Sequence, residues 1–285
     1  MKKIVLVLLA MILALSCVAC GNTTTTTDDK VASTPSADAT TPTDDNAVST
    51  PAGDNAASTP SADDELKVMT YEEYLAAELQ TKVCVETYVQ AKQGWWEEDG
   101  QGKASIYTQN EEGAYFIYNM PCTQEQYGTL TVGTKIRVIG YKMEFSGEVE
   151  IGDVESFQVL EGNYVATAKD VTALLGTEEL IKDMNKFVSF KGMTVAASTD
   201  ADGNEVAYLY KWNGSGAEGD DLYFKVALGE EVYTFTVESY LCGADSDVYK
   251  AVKELKVGDK IDMEGFLYWY EGVNPHITSV TKVAE

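Results

Sequence analysis

The sequence predicts a mainly β protein made of two copies of one small barrel, preceded by an export segment and a low-complexity tether. Three observations carry this. The stretch LTVGTKIRVIGYKMEFSG at 130–147 returns as LKVGDKIDMEGFLYWYEG at 255–272, with Leu130, Val132, Gly133, Lys135, Ile136, Gly140 and Gly147 each repeated 125 positions on. That spacing is too long for a solenoid repeat and suits two small domains. Within each copy a turn glycine precedes an alternating apolar run that a second glycine interrupts, the pattern of a long strand that bends. The third observation is the composition of residues 21–65, which cannot form a core. The expected domains are therefore 1–19, 20–65, 66–162 and 163–285.

Residues 1–19 read as a signal peptide. Lys2 and Lys3 open it, and the apolar run from Ile4 to Leu15 is too short for a comfortable membrane span. It ends in Ser16-Cys17-Val18-Ala19-Cys20-Gly21-Asn22, which resembles the lipobox of bacterial lipoproteins. The resemblance implies a diacylglyceryl group on Cys20, with Cys17 as the alternative acceptor; Cys17 departs from the pattern by standing where Leu is usual. The implied address is the extracytoplasmic face of the cell membrane, and the implied partner is the lipid bilayer, held through that acyl anchor. An ordinary cleaved signal with incidental cysteines is the plainer reading.

Residues 21–65 are mostly Thr, Ser, Ala, Pro, Asp and Asn, with ASTPSAD at 32–38 repeated at 57–63. Such a segment cannot bury enough apolar surface to offset its ordering entropy and is expected to be a disordered tether. It would span on the order of 40 Å as a random coil, more with its charge and prolines.

From residue 66 onward there are 18 Lys+Arg against 37 Asp+Glu, and Arg137 is the single arginine of the chain. That balance repels phosphate backbones and anionic lipid heads, so nucleic acid is expected to be a disfavoured partner. Cys84, Cys122 and Cys242 remain after the export segment. They read as small buried hydrophobes, with a Cys84–Cys122 disulfide as the alternative.

The first barrel opens with a helix signed by a Thr70/Glu73 capping box. A strand over 82–91 follows, then a Gly-rich loop over 95–102. A hairpin over 103–120 turns at 110–113. A brief helix starts at Thr123, and strands over 134–145 and 148–159 complete the barrel. The second opens with a linker carrying two helix signals, Asp170 as cap for 171–175 and Thr177 for 178–184. Strands are then expected over 186–196, 222–227, 232–238, 260–270 and 276–283, with a helix over 245–254. Twenty extra residues map to an inserted hairpin over 199–219.

Strand, strand, strand, short helix, strand, strand resembles the OB-fold, a five-stranded Greek-key barrel with its helix between the third and fourth strands. The fold class is thus two tandem OB-fold-like five-stranded barrels with short helices. The segments YVQAKQGWW at 88–96 and GAYFIYNMPC at 113–122 also resemble those of OB-fold lipoproteins from anaerobic gut bacteria, a group without an assigned activity.

OB barrels usually bind across their second and third strands and the flanking loops. Those places hold Trp95, Trp96, Tyr107, Tyr115 and Phe145 in the first copy and Trp269 and Tyr270 in the second. Exposed rings there would stack on sugar faces, so the expectation is a binding protein for carbohydrate or cell-envelope glycan; the alternative is a surface module that docks a protein or peptide. The competing reading of Trp95 and Trp96 is that they cover the barrel end, since neighbours on a strand point opposite ways. Asp200, Asp202 and Asn204 resemble the start of a calcium loop, but Gly203 comes early and Lys211 stands where a bidentate Glu is needed, so a hairpin turn is the preferred reading and no metal is assigned. His276 is the single histidine. No nucleophile motif or selected carboxylate pair marks an enzyme, and no cofactor is expected.

Overall fold

The computed structural model describes residues 66–283. The signal segment, the Cys20 acceptor and the tether lie outside them. Helix α1 (Tyr71–Ala76) starts at the expected capping box, with Thr70 and Glu73 exchanging side-chain and backbone bonds. The first barrel then comprises β1 (Lys82–Lys92), β2 (Trp96–Glu98), β3 (Gln101–Gln109), β4 (Ala114–Pro121), α2 (Gln124–Thr129), β5 (Thr134–Phe145) and β6 (Glu148–Asn163). β1 pairs with both β3 and β5, β3 with β4, and β5 with β6, all antiparallel, while β4 and β6 run parallel. The ring is closed in OB order. Val83, Val85 and Val89 of β1 are fully buried inside it with Ile106, Ile117, Ile136 and Ile151, as the period-two alternation requires.

The second barrel repeats the plan. It contains β7 (Lys169–Asp170), β8 (Phe187–Ala196), β9 (Ser198–Thr199), β10 (Glu205–Val206), β11 (Tyr208–Tyr210), β12 (Leu222–Leu228), β13 (Glu231–Val237), α3 (Asp247–Lys253), β14 (Lys260–Phe266) and β15 (His276–Lys282). β8 pairs with β12 and β14, β12 with β13, β14 with β15, and β13 meets β15 in parallel. The sequence repeat has a structural meaning at two of its three glycine pairs. Gly133 and Gly258 take φ of 88° and 94°, and their amides donate to Val89 O and Val195 O, each at 2.8 Å. Gly140 and Gly265 sit at register shifts of β5 and β14, where the backbone of the neighbouring strand comes too close for a Cβ. Leu130 and Leu255, at the ends of α2 and α3, are buried beneath each barrel.

Four local expectations are corrected. The stretch 95–102 is not a loop: Trp96–Glu98 pairs with β3, because Asp99 and Gly100 both take positive φ and turn the chain back. Residues 165–185 are not a linker, since Val171, Leu175 and Leu180 pack into the second core. They hold two 3₁₀ turns, and Thr177 caps neither, its hydroxyl donating instead to Leu174 O. The insertion is not one hairpin: Ser198–Thr199 pairs with Glu205–Val206, while Tyr208–Tyr210 joins the edge of β12. Cys84, Cys122 and Cys242 are all free thiols, so the Cys84–Cys122 disulfide alternative does not hold.

Candidate functional site

A strand of a barrel has an inward and an outward face, and here the outward faces of the two barrels meet. Ile106 points into the first core, so Tyr107 points out; Phe116 does the same beside Ile117. Tyr107, Phe116 and Phe266 form a separate apolar cluster with Phe187, Leu241 and Tyr268 on the seam. Tyr107 stacks on Phe266 at 4.4 Å between ring centroids, and its hydroxyl lies 2.7 Å from His276 Nδ1. Gln93 Nε2 donates to both oxygens of Glu238 at 2.8 Å, and the Gly94 amide donates to Tyr240 O at 2.8 Å.

Beside this cluster the seam opens into a cavity of about 540 Å³ lined by Gln93, Gly94, Trp96, Phe116, Tyr118, Asn119, Glu238, Tyr240, Tyr268 and His276. A bulge builds one wall. Ser105 of β3 faces two residues of β4, Tyr118 and Asn119, and Asn119 takes φ of 48°. The extra residue lets two consecutive side chains line the same cavity, which a regular strand forbids. Ser105 Oγ accepts the Asn119 amide at 3.1 Å and holds that turn.

The polar groups of this cavity are tuned by burial. The Glu238 carboxyl is pushed up to about 7, burial being the main cause and the Gln93 bond opposing it. Burial drives His276 down to about 3, so its ring is neutral, and it stacks on Tyr268 at 4.3 Å. Burial also holds the Tyr107 phenol well above its ordinary value. The site therefore offers flat aromatic faces, one carboxyl poised near neutrality, two amides and an uncharged imidazole.

The residues singled out from sequence fall into three groups. Trp96 lines the cavity and is 39 % exposed, with Lys103 Nζ 5.1 Å from its ring. Tyr107 lies beneath the cavity, fully buried. Trp95 turns away, its ring packed over Gly102 and its Nε1 donating to Cys122 O at 3.0 Å, which is the barrel-end reading. Tyr115 is 1 % exposed in the first core against Tyr71 and Tyr74. Phe145 and Tyr270 are exposed, 5.9 Å apart, on a different part of the seam, and Trp269 is half-buried there. Asp200 closes a turn, accepting the amides of Asp202 and Asn204 at 3.0 and 2.8 Å and Asn204 Nδ2 at 3.1 Å. Sequence reasoning missed Glu238, Gln93, Tyr240 and Tyr268. Nothing in local periodicity marks them, because each acts with a partner on the other barrel.

No protein-family model matches the chain, and no curated protein matches it in sequence. Solved structures are similar in fold. A murine DNA-binding protein bound to double-stranded DNA is 12 % identical over 71 % of this chain and 97 % of its own, with a TM-score of 0.33. The p204 HINb domain is 9 % identical over 73 % of this chain and 100 % of its own, at 0.32. Replication protein A bound to single-stranded DNA is 11 % identical over 72 % of this chain and 49 % of its own, at 0.31. At these identities the likeness concerns the OB fold alone. Among these structures the murine DNA-binding protein and replication protein A are bound to DNA; against that finding the glycan-receptor and protein-docking expectations and the setting aside of nucleic acid are withdrawn. The geometry supplies the physical reason. Two of the rings behind the glycan reading, Trp95 and Tyr115, are turned inward, and the charge argument concerned phosphates rather than bases.

Proposed function

We propose that the seam cavity holds an unpaired nucleobase, presented by single-stranded nucleic acid or by a free nucleoside. The observation that carries this reading is the set of rings from Trp96, Phe116, Tyr118, Tyr240 and Tyr268 around one carboxylate–amide edge, Glu238 with Gln93. A base offers two π-faces for stacking, worth about 1–3 kcal/mol per base. A carboxylate accepts from an exocyclic amino group of a base. The acidic chain disfavours contact with phosphates, so the base supplies the affinity, and added salt strengthens oligonucleotide binding by screening repulsion.

The address belongs to the same proposal. Residues 1–19 export the chain, Cys20 carries the acyl anchor on the extracytoplasmic face, 20–65 form the tether, and 66–162 and 163–285 are the two domains. Its support is the Ser16–Asn22 sequence and the segments at 88–96 and 113–122 that resemble lipoproteins of gut anaerobes.

The test titrates the full chain with cytidine, with a short single-stranded oligonucleotide and with an abasic strand of equal length, reading tryptophan fluorescence. Quenching by the first two but not the third is expected, weakened roughly ten- to a hundredfold by Trp96→Ala at unchanged Tm. Equal response to the abasic strand, or no response to any of the three, overturns the reading.

A further inference from the structure

The second barrel holds a cavity of about 260 Å³ that shares no lining residue with the seam cavity. We propose that this cavity, built by Ser198, Thr199, Trp212, Tyr223, Lys225 and Thr234, binds an oxyanion carried on a flat aromatic body.

The period of two in β12 sets the floor. Phe224 and Val226 point into the core and are fully buried, so Tyr223 and Lys225 point outward. Leu209 of β11 pairs with Tyr223, and Thr234 of β13 pairs with Lys225, which widens that outward face. The inserted residues wall it. The Lys211 amide donates to Asp221 O at 2.9 Å and the Gly214 amide to Lys211 O at 3.2 Å, closing a turn in which Lys211 and Gly214 both take positive φ. Asn213 Oδ1 accepts the Ser215 amide at 3.1 Å and the Ser215 hydroxyl at 2.7 Å. Trp212 sits in this ordered turn and is 74 % exposed, more than any other large apolar side chain among the described residues.

Among the described residues that line the cavity, Lys225 is the sole charged side chain. Lys225 is half-buried, and its side chain makes no salt bridge or hydrogen bond with any described residue. The hydroxyls of Ser198, Thr199 and Thr234 are likewise unbonded among the described residues. An ammonium and three rotatable hydroxyls are donors to an oxyanion, and hydrogen bonds between charged groups are the stronger kind.

The nearby carboxylates are engaged elsewhere. Asp200, beside Gly214, accepts the amides of Asp202 and Asn204 in its own turn, and Asp220 is paired with Lys211 at 3.6 Å. From residue 66 onward the chain has 37 acids against 18 cations, so a cavity with a cation and no acid in its described lining is a local inversion of charge. Trp212 and Tyr223 offer π-faces to a flat ring, and Leu209 adds apolar surface. The volume falls below the roughly 300 Å³ at which sites for drug-sized ligands begin, which limits the occupant to a small ring system.

The test is calorimetric titration of the full chain with naphthoate, with naphthyl phosphate and with neutral naphthamide. Both anions are expected to bind at least about tenfold tighter than the amide. Lys225→Met brings the anions down to the affinity of the amide, and Trp212→Ala weakens all three about tenfold, each at unchanged Tm. The tighter of the two anions distinguishes a phosphate ester from a carboxylate as the natural headgroup. Cytidine reads the seam cavity separately, and neither variant alters its response. No binding of either anion, equal affinity for anion and amide, an anion preference that survives Lys225→Met, or affinities unmoved by Trp212→Ala overturns the proposal.

Discussion

The Tyr107 hydroxyl and His276 Nδ1 stand 2.7 Å apart across the seam, one from each barrel and 169 residues apart in the chain. Tyr107 is fully buried and His276 is 6 % exposed. Tyr107→Phe keeps the ring stack on Phe266 but leaves the imidazole nitrogen unsatisfied. The expected loss is about 1–3 kcal/mol of stability, measured by denaturant unfolding. A loss within the scatter of a neutral surface substitution would show that the bond contributes nothing.

His276 also makes the protein sensitive to acid. Its folded value, about 3, lies below the ordinary 6.5 because burial disfavours the imidazolium. The unfolded chain therefore binds the proton first. Stability contributed by the neutral ring is full above pH 6.5 and falls as pH drops toward 3. A Tm profile over that range should flatten in His276→Gln relative to the parent.

Three buried carboxyls act in the opposite sense. Glu148, Glu150 and Glu238 rise from 4.5 to about 8, 7 and 7, burial being the main cause in each. Their contribution is present below pH 4.5 and is lost as pH climbs through 7 to 8, when ionisation loads the seam with charge. The parent is expected to lose stability as pH rises from 4.5 to about 8, and Glu238→Gln to lose less. Equal slopes for parent and variant would contradict the placement of Glu238 in a desolvated seam.

The two bend glycines should not be equally tolerant. A Cβ at Gly265 would overlap the His276 carbonyl oxygen and approach Ile277 Cα, both backbone atoms; at Gly140 it would come within 2.9 Å of Gly152 O and the Ile151 side chain. Gly140→Ala should cost about 1–3 kcal/mol and Gly265→Ala more, read by thermal unfolding of the two variants side by side.

Buried thiols are expected to resist alkylation. Cys84 and Cys122 are buried, and burial lifts the Cys242 thiol to about 11. Peptide mapping should find all three unmodified after brief treatment of the native protein at pH 7 and all three modified after denaturation.

Much of the fold was legible because its signals are local. The Thr70/Glu73 box, the alternation of Val83, Val85 and Val89, and the Asn110–Gly113 turn each lie within a few residues, and the structure places helix, strand and turn there. At Thr177 the expectation failed because a competing local bond decided the outcome. Thr177 has the side chain of a cap, but its hydroxyl turned back to Leu174 O. The site was less legible. Trp96 stood out as an aromatic beside a turn, yet its neighbour Trp95 carried the same signal and is packed against Gly102. Adjacent residues on an extended chain point to opposite sides, and sequence does not say which side is the cavity.

What the sequence determined by itself is the repeated barrel plan: turn glycine, alternating strand, bend glycine, closing strand. Those elements follow from φ requirements and a period of two, both written within short windows. The tertiary structure alone decided the seam. Gln93 meets Glu238 across 145 residues, Glu148 meets Trp269 across 121, and Tyr107 meets His276 across 169. No periodicity links such partners. Their outward faces read as ordinary surface until the barrels dock, and only then does desolvation shift the carboxyls, phenols and one imidazole gathered at the seam.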